Sequence, residues 1–208
     1  GSIAPNSIVT DMDLKVQYWL NKPYGPYFYT QEQIREVVDY AKERHINIVP
    51  EIDMPGHFVA AMAAYPEFSC YPDGSHNVWS NGGISSDVLN VANPQAVQFA
   101  KNILEEIMEL FPEAPYINIG GDECPTSAWE GNAQCQALYN ELGLTSYHQL
   151  QSRYMNEIGQ FIRSKGHQVA MWNEVITAGS ADTKSVAEVD PVIYCWTGAD
   201  AAANKAAD

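Results

Sequence analysis

Four short apolar runs along the chain each end in polar, acidic or aromatic residues. They lie at about 46–52, 116–119, 168–172 and 192–195. Runs this short, rich in isoleucine and valine, are typical of buried β-strands. Because the polar and aromatic residues come at the C-terminal end of each run, a parallel sheet built from these strands would collect them along one edge.

Longer segments with apolar residues at helical spacing separate these runs. Thr30-Gln31-Glu32-Gln33 has the sequence of a capping box and predicts a helix that ends near His45. Asn93-Pro94 begins a second predicted helix, and a third spans about 146–165, with Gly166 suited to end it. Alternating strands and helices predict βαβ units and a parallel sheet. A TIM barrel and an open doubly wound sheet both place their sites at the carboxyl ends of such strands.

The second run delivers two adjacent carboxylates, Asp122 and Glu123, directly after Gly120 and Gly121. Glycine lets the backbone bend sharply or approach a ligand closely. Like charges this close raise the pKa of one carboxyl, so the pair is interpreted as a general acid beside an ionised helper. The alternative is the acidic first turn of a helix, where negative charge suits the positive end of the helix dipole.

The composition indicates a globular chain with enough apolar residues to build a core. Hydrophobic residues make up 46% of the sequence and charged residues 18%. The net charge of −15 argues against nucleic acid or anionic membranes as partners. The sequence contains no apolar run of about 18 residues or more, so no transmembrane helix is predicted.

Four stretches of sequence carry a combination of motifs, namely PEIDMPGH at 50–57, INIGGDECPTSAWEG at 117–131, AMWNEV at 170–175 and IYCWTG at 193–198. Together they resemble the catalytic domain of glycoside hydrolase family 20, the β-N-acetylhexosaminidases. The resemblance extends from about Phe28 to the C-terminus, and GGDE with an upstream DxPGH is a specific combination. It implies an α/β fold, the (β/α)8 TIM barrel.

The chain is shorter than the barrel that the resemblance implies. A TIM barrel typically needs about 250 residues, whereas the sequence has 208. We therefore expect residues 1–208 to be a fragment of the catalytic domain, a partial barrel of about four parallel strands that resemble family strands 3 to 6. The exposed edges of such a sheet are expected to pair with the remainder of the barrel or with another copy of the chain.

The resemblance assigns the chemistry to the carboxylate pair. Glu123 would protonate the leaving glycosidic oxygen and then act as base toward water. The 2-acetamido oxygen of the substrate would attack the anomeric carbon, and Asp122 would accept a hydrogen bond from the acetamido N–H and stabilise the oxazolinium charge. The implied activity is exo-acting, retaining hydrolysis of terminal non-reducing β-linked N-acetylglucosamine or N-acetylgalactosamine. The implied partners are oligosaccharides or glycoconjugates that contain N-acetylhexosamine.

Four further residues are candidates for binding substrate or supporting the site. His57 follows Pro55-Gly56 and matches a family histidine that links an upstream aspartate to the catalytic acid; that aspartate has no counterpart here. Asp53 would support the site, or would simply accept hydrogen bonds from loop amides. Trp172 and Trp196 match tryptophans that line the sugar pocket, although a tryptophan at a strand end also fills a core well.

The other acidic residues near the motifs are expected to have no catalytic role, and neither a cofactor nor a metal is expected. Glu51 is expected to be structural, and Glu174 to support the site from behind. Pro-Gly between Asp53 and His57 prevents helical i, i+4 ligand geometry, and the family works without metal. Two alternatives stay open: an ordinary retaining glycosidase with an enzyme nucleophile, and a catalytically incomplete sugar-binding or scaffold fragment.

Expectations for Trp129 and for the cysteines are structural. Trp129 is expected to pack a loop over the rim of the site. A disulfide between Cys124 and Cys135 is possible, but their spacing does not determine the pairing, and the absence of a CxxC pair disfavours zinc. Cys195 alternates within an apolar strand and is expected to be a small buried residue.

Overall fold

The structure is a computed structural model of the 208-residue chain and describes residues 28–74, 76–79 and 82–198. Within these ranges the helices are α1 Gln31–Lys42, α2 Val59–Ala64, α3 Pro94–Leu110, α4 Ser127–Gly131, α5 Ala133–Glu141, α6 Tyr147–Ser164, α7 Glu174–Thr177 and α8 Thr183–Ala187, with a 3₁₀ turn at Pro66–Phe68. The strands are β1 Ile117–Asn118, β2 Val169–Trp172 and β3 Val192–Tyr194. None of the helices in these ranges combines the length and the apolar character needed to cross a lipid bilayer.

The strands form one parallel sheet in the order β1-β2-β3. Ile117 pairs with Val169 at the first interface, and Trp172 pairs with Tyr194 at the second. Helices α4 to α6 connect β1 to β2, and α7 and α8 connect β2 to β3, so both connections are helical crossovers. The prediction of an α/β chain with a parallel sheet is confirmed, and the carboxyl ends of the three strands lie at one edge.

The first predicted strand, 46–52, runs beside β1 without forming a regular strand. Glu51 and Asn118 form a single parallel bridge. The Asn118 N–H donates to the Pro50 carbonyl at 3.0 Å, and the Asn118 carbonyl accepts from the Ile52 N–H at 3.0 Å. The Met54 N–H also donates to the Ile119 carbonyl at 3.2 Å, but Pro50 has no N–H to donate and β1 is only 2 residues long, so no regular strand forms. The parallel direction agrees with the prediction, whereas the predicted count of four strands is not confirmed.

The three long predicted helices begin where their capping sequences indicate. At α1 both bonds of the capping box are present: the Gln33 N–H donates to the Thr30 hydroxyl at 3.2 Å, and the Thr30 N–H donates to the Gln33 side chain at 2.8 Å. Asn93 caps α3 and Ser146 caps α6, each accepting a hydrogen bond from a backbone N–H of the first turn. Gly166, at φ 90°, follows α6 as predicted.

The core lies between the sheet and the long helices α3 and α6. Each helix turns an apolar face toward the strands, and complete burial of an aliphatic side chain contributes about 1.5–3 kcal/mol. The buried side chains of this layer include Val97, Ala100, Leu104, Ile117, Ile158, Ile162, Val169 and Met171. Packing behind β1 and β2 therefore holds the carboxyl ends of these strands in place for the residues that follow them.

Trp129 belongs to the core and not to the rim of a site. Its side chain is fully buried, and its indole N–H donates to the Leu89 carbonyl at 2.9 Å. The expectation that Trp129 packs a loop over the rim of the site was wrong. The short helix α4 turns Trp129 inward together with the buried Ala128.

The four cysteines are free thiols, so the possible disulfide between Cys124 and Cys135 is not formed. Cys135 is buried on α5, and Cys124 is partly buried in the segment after β1. Cys195 is exposed, and the expectation of a buried residue was wrong. It directly follows β3, the outer strand of the described sheet, where no further described strand covers it.

Candidate active site

The carboxyl edge of the sheet forms an open pocket of about 420 Å³. Its lining residues are Glu51, Asp53, Asp122, Glu123, Trp172 and Trp196. Five of the six site residues predicted from the sequence are therefore in one pocket, and the sixth, His57, contacts both Asp122 and Glu123. These side chains meet at the carboxyl edge of the sheet, as the positions of the polar residues after the predicted parallel strands indicated.

Gly120 and Gly121 let the chain pass closely over its neighbours at the end of β1. Their φ values are 69° and 100°, in the region that favours glycine. A Cβ at Gly120 would lie 1.8 Å from Asp53 Oδ1, and one at Gly121 would lie 2.3 Å from a Val175 methyl carbon. The two glycines therefore bring the following carboxylates directly against the strand segment that carries Asp53.

Glu123 is held in an uncommon backbone conformation by a residue from the next strand connection. Its φ is 46°, which is rare for a residue with a side chain. The Glu123 N–H donates to the Glu174 side chain at 2.7 Å, which stabilises this conformation. The side chain of Glu174, at the start of α7, thus supports the backbone of Glu123, as the sequence suggested.

Asp53 and Asp122 share a site that favours one proton between them. Burial, and then the charge of Asp122, raise the pKa of Asp53 to about 8, although the Gly121 N–H donates to Asp53 Oδ1 at 3.1 Å. With both carboxyls ionised, Asp122 Oδ1 would be a buried oxygen without a hydrogen-bond donor among the described residues. A proton on Asp53 supplies a donor to the Asp122 carboxylate.

The repulsion that raises a pKa was predicted for the wrong pair of neighbours. Asp122 and Glu123 are adjacent in the chain, whereas the carboxyl with the raised pKa is Asp53, on a different strand segment. Asp53 therefore does more than accept hydrogen bonds from loop amides. A proton on Asp53 removes one of two neighbouring like charges from the pocket.

His57 lies between the two carboxylates of the predicted dyad. Its Nε2 is 3.2 Å from Glu123 Oε2 and 3.7 Å from Asp122 Oδ2. The side chain is about one-third exposed, at 33%, so it borders the pocket without being enclosed. The imidazole therefore contacts both carboxylates, and its supporting role stays a prediction.

The two tryptophans form the aromatic part of the pocket wall. The Trp172 indole N–H donates to Glu51 Oε1 at 3.2 Å, and the Asn118 amide donates to Glu51 Oε2 at 2.9 Å. Trp196 is 53% exposed, and its backbone N–H donates to the Asn173 side chain at 3.3 Å. Neither indole is a core filler, so both remain available to a ligand.

Glu51, which was expected to be structural, also lines the pocket. It lies two positions before Asp53, and alternate residues of an extended segment point to the same side. That periodicity was the available signal. Its carboxylate links Asn118 to Trp172 and so fixes the orientation of an indole beside the acidic residues.

Asp53, His57 and Asp122 also form the one group in the described residues with the composition of a metal site. Each offers one ligand atom, and these atoms lie within 4.8 Å of one another. The prediction that no metal binds here rested on helical spacing, whereas the loop after Asp53 brings the three residues together without a helix. A cation here would have to displace the proton that Asp53 holds against Asp122, so metal and proton compete.

A pair of carboxylates, both in contact with an imidazole, in a pocket with accessible indole rings is compatible with the two-carboxylate site of a glycoside hydrolase. The model of the glycosyl hydrolase family 20 catalytic domain matches residues 7–208, and the chain belongs to this family. The family assignment agrees with the resemblance found in the sequence motifs. The parallel sheet with helical crossovers is consistent with part of the TIM barrel of this family.

Several characterised proteins are similar to this chain. The beta-hexosaminidase of Vibrio furnissii is 39% identical over 196 residues, which cover 94% of this chain and 31% of that protein. The beta-hexosaminidase of Porphyromonas gingivalis is 36% identical over 182 residues, covering 85% of this chain and 22% of that protein. The chain thus spans between 22% and 31% of the length of these relatives.

Solved structures of the family are also similar to this chain. The exo-β-N-acetylglucosaminidase of Vibrio harveyi, in complex with N-acetylglucosamine, is 36% identical, with a TM-score of 0.70 over 86% of this chain and 27% of that chain. The β-N-acetylhexosaminidase of Bacteroides fragilis is 30% identical, with a TM-score of 0.72 over 88% of this chain and 36% of that chain. At these levels of identity the likeness extends to the sequence as well as to the fold.

The raised pKa of Asp53 predicts a specific pH dependence of stability. In the folded chain Asp53 keeps a proton that the unfolded chain releases near the ordinary aspartate pKa, so this residue lowers the free energy of unfolding as pH rises toward about 8. Asp53→Asn keeps an N–H donor toward Asp122 but does not titrate. We expect the variant to become progressively more stable than the wild type between about pH 4 and pH 8.

The measurement is urea unfolding across that pH range. Asp39→Asn, at an exposed position on α1, is the matched control, and its stability should follow the wild-type curve. Parallel curves for the wild type and Asp53→Asn would contradict the shared proton.

Proposed function

We propose that the protein containing this chain removes terminal, non-reducing β-linked N-acetylglucosamine or N-acetylgalactosamine from oligosaccharides and glycoconjugates. The observation that carries the proposal is the placement of Glu123 and Asp122 in one pocket, both against His57, with Asp53, whose pKa is raised to about 8, beside Asp122. The names of the similar proteins support the substrate class, and the similar Vibrio harveyi enzyme was solved with N-acetylglucosamine.

Glu123 is proposed to be the general acid. Its carboxyl lines the pocket and is within hydrogen-bond distance of His57 Nε2, at 3.2 Å. It would donate its proton to the glycosidic oxygen as the bond to the leaving group breaks, and then accept a proton from the incoming water. The contact of His57 Nε2 with the Glu123 side chain, and the hydrogen bond from the Glu123 N–H to Glu174, would hold Glu123 in one orientation.

Asp122 is proposed to act on the 2-acetamido group of the substrate. An ionised carboxylate would accept the acetamido N–H, turn the acetamido oxygen toward the anomeric carbon, and stabilise the positive charge of the oxazolinium that forms. This role requires the charge to stay on Asp122. The raised pKa of Asp53 supports it, because the neighbouring carboxyl then serves as a hydrogen-bond donor and not as a second anion.

Trp172 and Trp196 are proposed to bind the sugar ring. Their indoles stand at the ends of neighbouring strands and line the pocket with the carboxylates. A flat aromatic face covers the C–H surface of a pyranose, and its N–H stays free for a polar partner. In Trp172 that partner is Glu51, which fixes the ring before a sugar arrives.

We further propose that residues 1–208 are part of an eight-stranded barrel, in which 46–52 and β1 to β3 correspond to family strands 3 to 6. The open side of the pocket and the exposed side chains of Val37, Tyr40 and Ile46 on and after α1 support this reading. The rest of a barrel, or another copy of the chain, would cover these surfaces. The alternative of a scaffold fragment predicts sugar binding without turnover.

The general-acid assignment predicts an effect that depends on the leaving group. Glu123→Gln should lower kcat/KM for a chitooligosaccharide by about 10²–10⁴-fold. It should lower kcat/KM far less for an aryl glycoside with an activated leaving group, because such a group departs with little protonation. Steady-state kinetics would be measured in the longest natural protein that contains this chain.

Glu141→Gln, at an exposed position of α5, serves as the matched control and should change neither rate. Equal losses on both substrates by a correctly folded Glu123→Gln protein would refute the acid role. Sugar binding without turnover by the unaltered protein would favour the scaffold alternative.

The role of Asp122 is tested by combining a substitution with a change of substrate. Asp122→Asn keeps the shape of the side chain but removes its charge, so kcat and kcat/KM for a β-N-acetylglucosaminide should both fall. A β-glucoside without the acetamido group should be a very poor substrate for both proteins, with little further loss from the substitution. Additive losses would mean that Asp122 does not act through the acetamido group.

Trapping and inhibition experiments separate the substrate-assisted mechanism from that of an ordinary retaining glycosidase. An ordinary retaining glycosidase would form a trappable glycosyl-enzyme, whereas substrate assistance predicts inhibition by thiazoline mimics of the cyclised acetamide. A trapped covalent intermediate on an enzyme carboxylate would contradict the substrate-assisted proposal.

A further inference from the structure

Two buried cysteines that are far apart in the sequence meet outside the pocket. Cys70 follows the 3₁₀ turn at Pro66–Phe68, and Cys135 lies in the first turn of α5. Cys70 is 5% exposed and Cys135 is fully buried, and the two side chains lie close enough for each to shift the pKa of the other. Both are free thiols.

The backbones at the two cysteines are held together by one side chain. The Asn132 amide donates to the Cys70 carbonyl at 3.0 Å, and Asn132 Oδ1 accepts the Cys135 N–H at 3.1 Å. Asn132 also caps α5, so its position is fixed by the start of that helix. The sulfur contact therefore rests on a rigid frame and not on two flexible loops.

Further hydrogen bonds attach the same two regions of the chain to each other. The Asn90 amide donates to the Gln134 side chain at 2.7 Å, and Asn90 Oδ1 accepts from the Cys135 thiol at 3.3 Å. One region, 66–91, follows the loop of His57, and the other, 124–135, directly follows Glu123. A covalent link here would join the segments behind two residues of the candidate active site.

We propose that Cys70 and Cys135 are a disulfide-forming pair, and that oxidation fastens the segment after His57 to the segment after Glu123. The proposal does not rest on the proposed function, because it concerns thiols outside the pocket. Its chemistry is exchange with a low-molecular-weight disulfide such as oxidised glutathione.

The exchange proceeds in two balanced steps. The Cys135 thiolate attacks one sulfur of the oxidised glutathione, which forms a mixed disulfide and releases one glutathione thiolate that takes up the proton lost by Cys135. The Cys70 thiolate then attacks the Cys135 sulfur, which closes the protein disulfide and releases the second glutathione thiolate with the proton of Cys70. The two cysteines are oxidised, and one glutathione disulfide is reduced to two thiols.

The surroundings of the pair favour Cys135 as the first nucleophile. The hydrogen bond from Cys70, and then that from the Ala92 N–H, lower the pKa of Cys135 against the opposing effect of burial. The same thiol contact, and then burial, raise the pKa of Cys70. Because both sulfurs are buried, exchange with a bulky disulfide takes place when this region opens locally or before folding is complete.

The other two cysteines are placed differently. Burial raises the pKa of the Cys124 thiol, which lies directly behind Glu123 and against Gly56. Cys195 is exposed and directly follows β3. Cys195→Ser is therefore the matched control for variants of the pair.

The experiment places the folded protein in glutathione buffers of increasing oxidised fraction, traps the remaining thiols by alkylation, and maps the peptides by mass spectrometry. We expect a cross-linked peptide that contains Cys70 and Cys135, with Cys195 alkylated or carrying a single glutathione. A disulfide across a loop this long should raise the melting temperature by roughly 5–15 °C, and reduction should reverse the rise.

Variants separate the pair from general effects of oxidation. Cys70→Ser and Cys135→Ser should lose the redox response of the melting temperature, whereas Cys195→Ser should keep it. If a buried serine prevents folding, peptide mapping of the unaltered protein decides the question alone. Recovery of both cysteines as alkylated thiols in the most oxidising buffer, or a cross-link between any other pair, would overturn the proposal. A cross-link without a rise in melting temperature would overturn the fastening role.

Discussion

The carboxyl edge of the sheet depends on one proton held between two carboxyls from different strand segments. Asp53 and Asp122 are close enough to repel because Gly120 lacks a Cβ, whose place would fall 1.8 Å from Asp53 Oδ1. Ionising both would leave a buried oxygen of Asp122 without a donor. The proton on Asp53 removes the repulsion and supplies a hydrogen-bond donor to the Asp122 side chain.

The remaining contacts of the site lie around the pair formed by Asp53 and Asp122. His57 lies within 3.7 Å of the Asp122 carboxylate and closer to that of Glu123, at 3.2 Å, so it is oriented by both. Glu174 accepts the Glu123 N–H and stabilises a backbone with positive φ. A reaction with a positively charged intermediate requires an anion and an oriented acid, and Asp122 and Glu123 stand in position for these two roles in the proposed acetamido chemistry.

Local patterns predicted the frame of the molecule, and contacts between distant segments decided the rest. Capping sequences marked the starts of α1, α3 and α6 because a helix terminus is satisfied by residues nearby in the chain. The meeting of Asp53 with Asp122, and the hydrogen bond from Trp172 to Glu51, depend on which strand segments are neighbours. The inward turn of Trp129 likewise follows from packing against Leu89, which the spacing of residues does not reveal.

The most direct test of this account is the titration of Asp53 itself. NMR of isotope-labelled aspartate carboxyl carbons, with Asp53→Asn used for assignment, would follow the protonation of each group as pH is varied. The account predicts that Asp53 keeps its proton at neutral pH and releases it near pH 8. Release of the Asp53 proton near the ordinary pKa of an aspartate, with both carboxyls ionised at neutral pH, would contradict it.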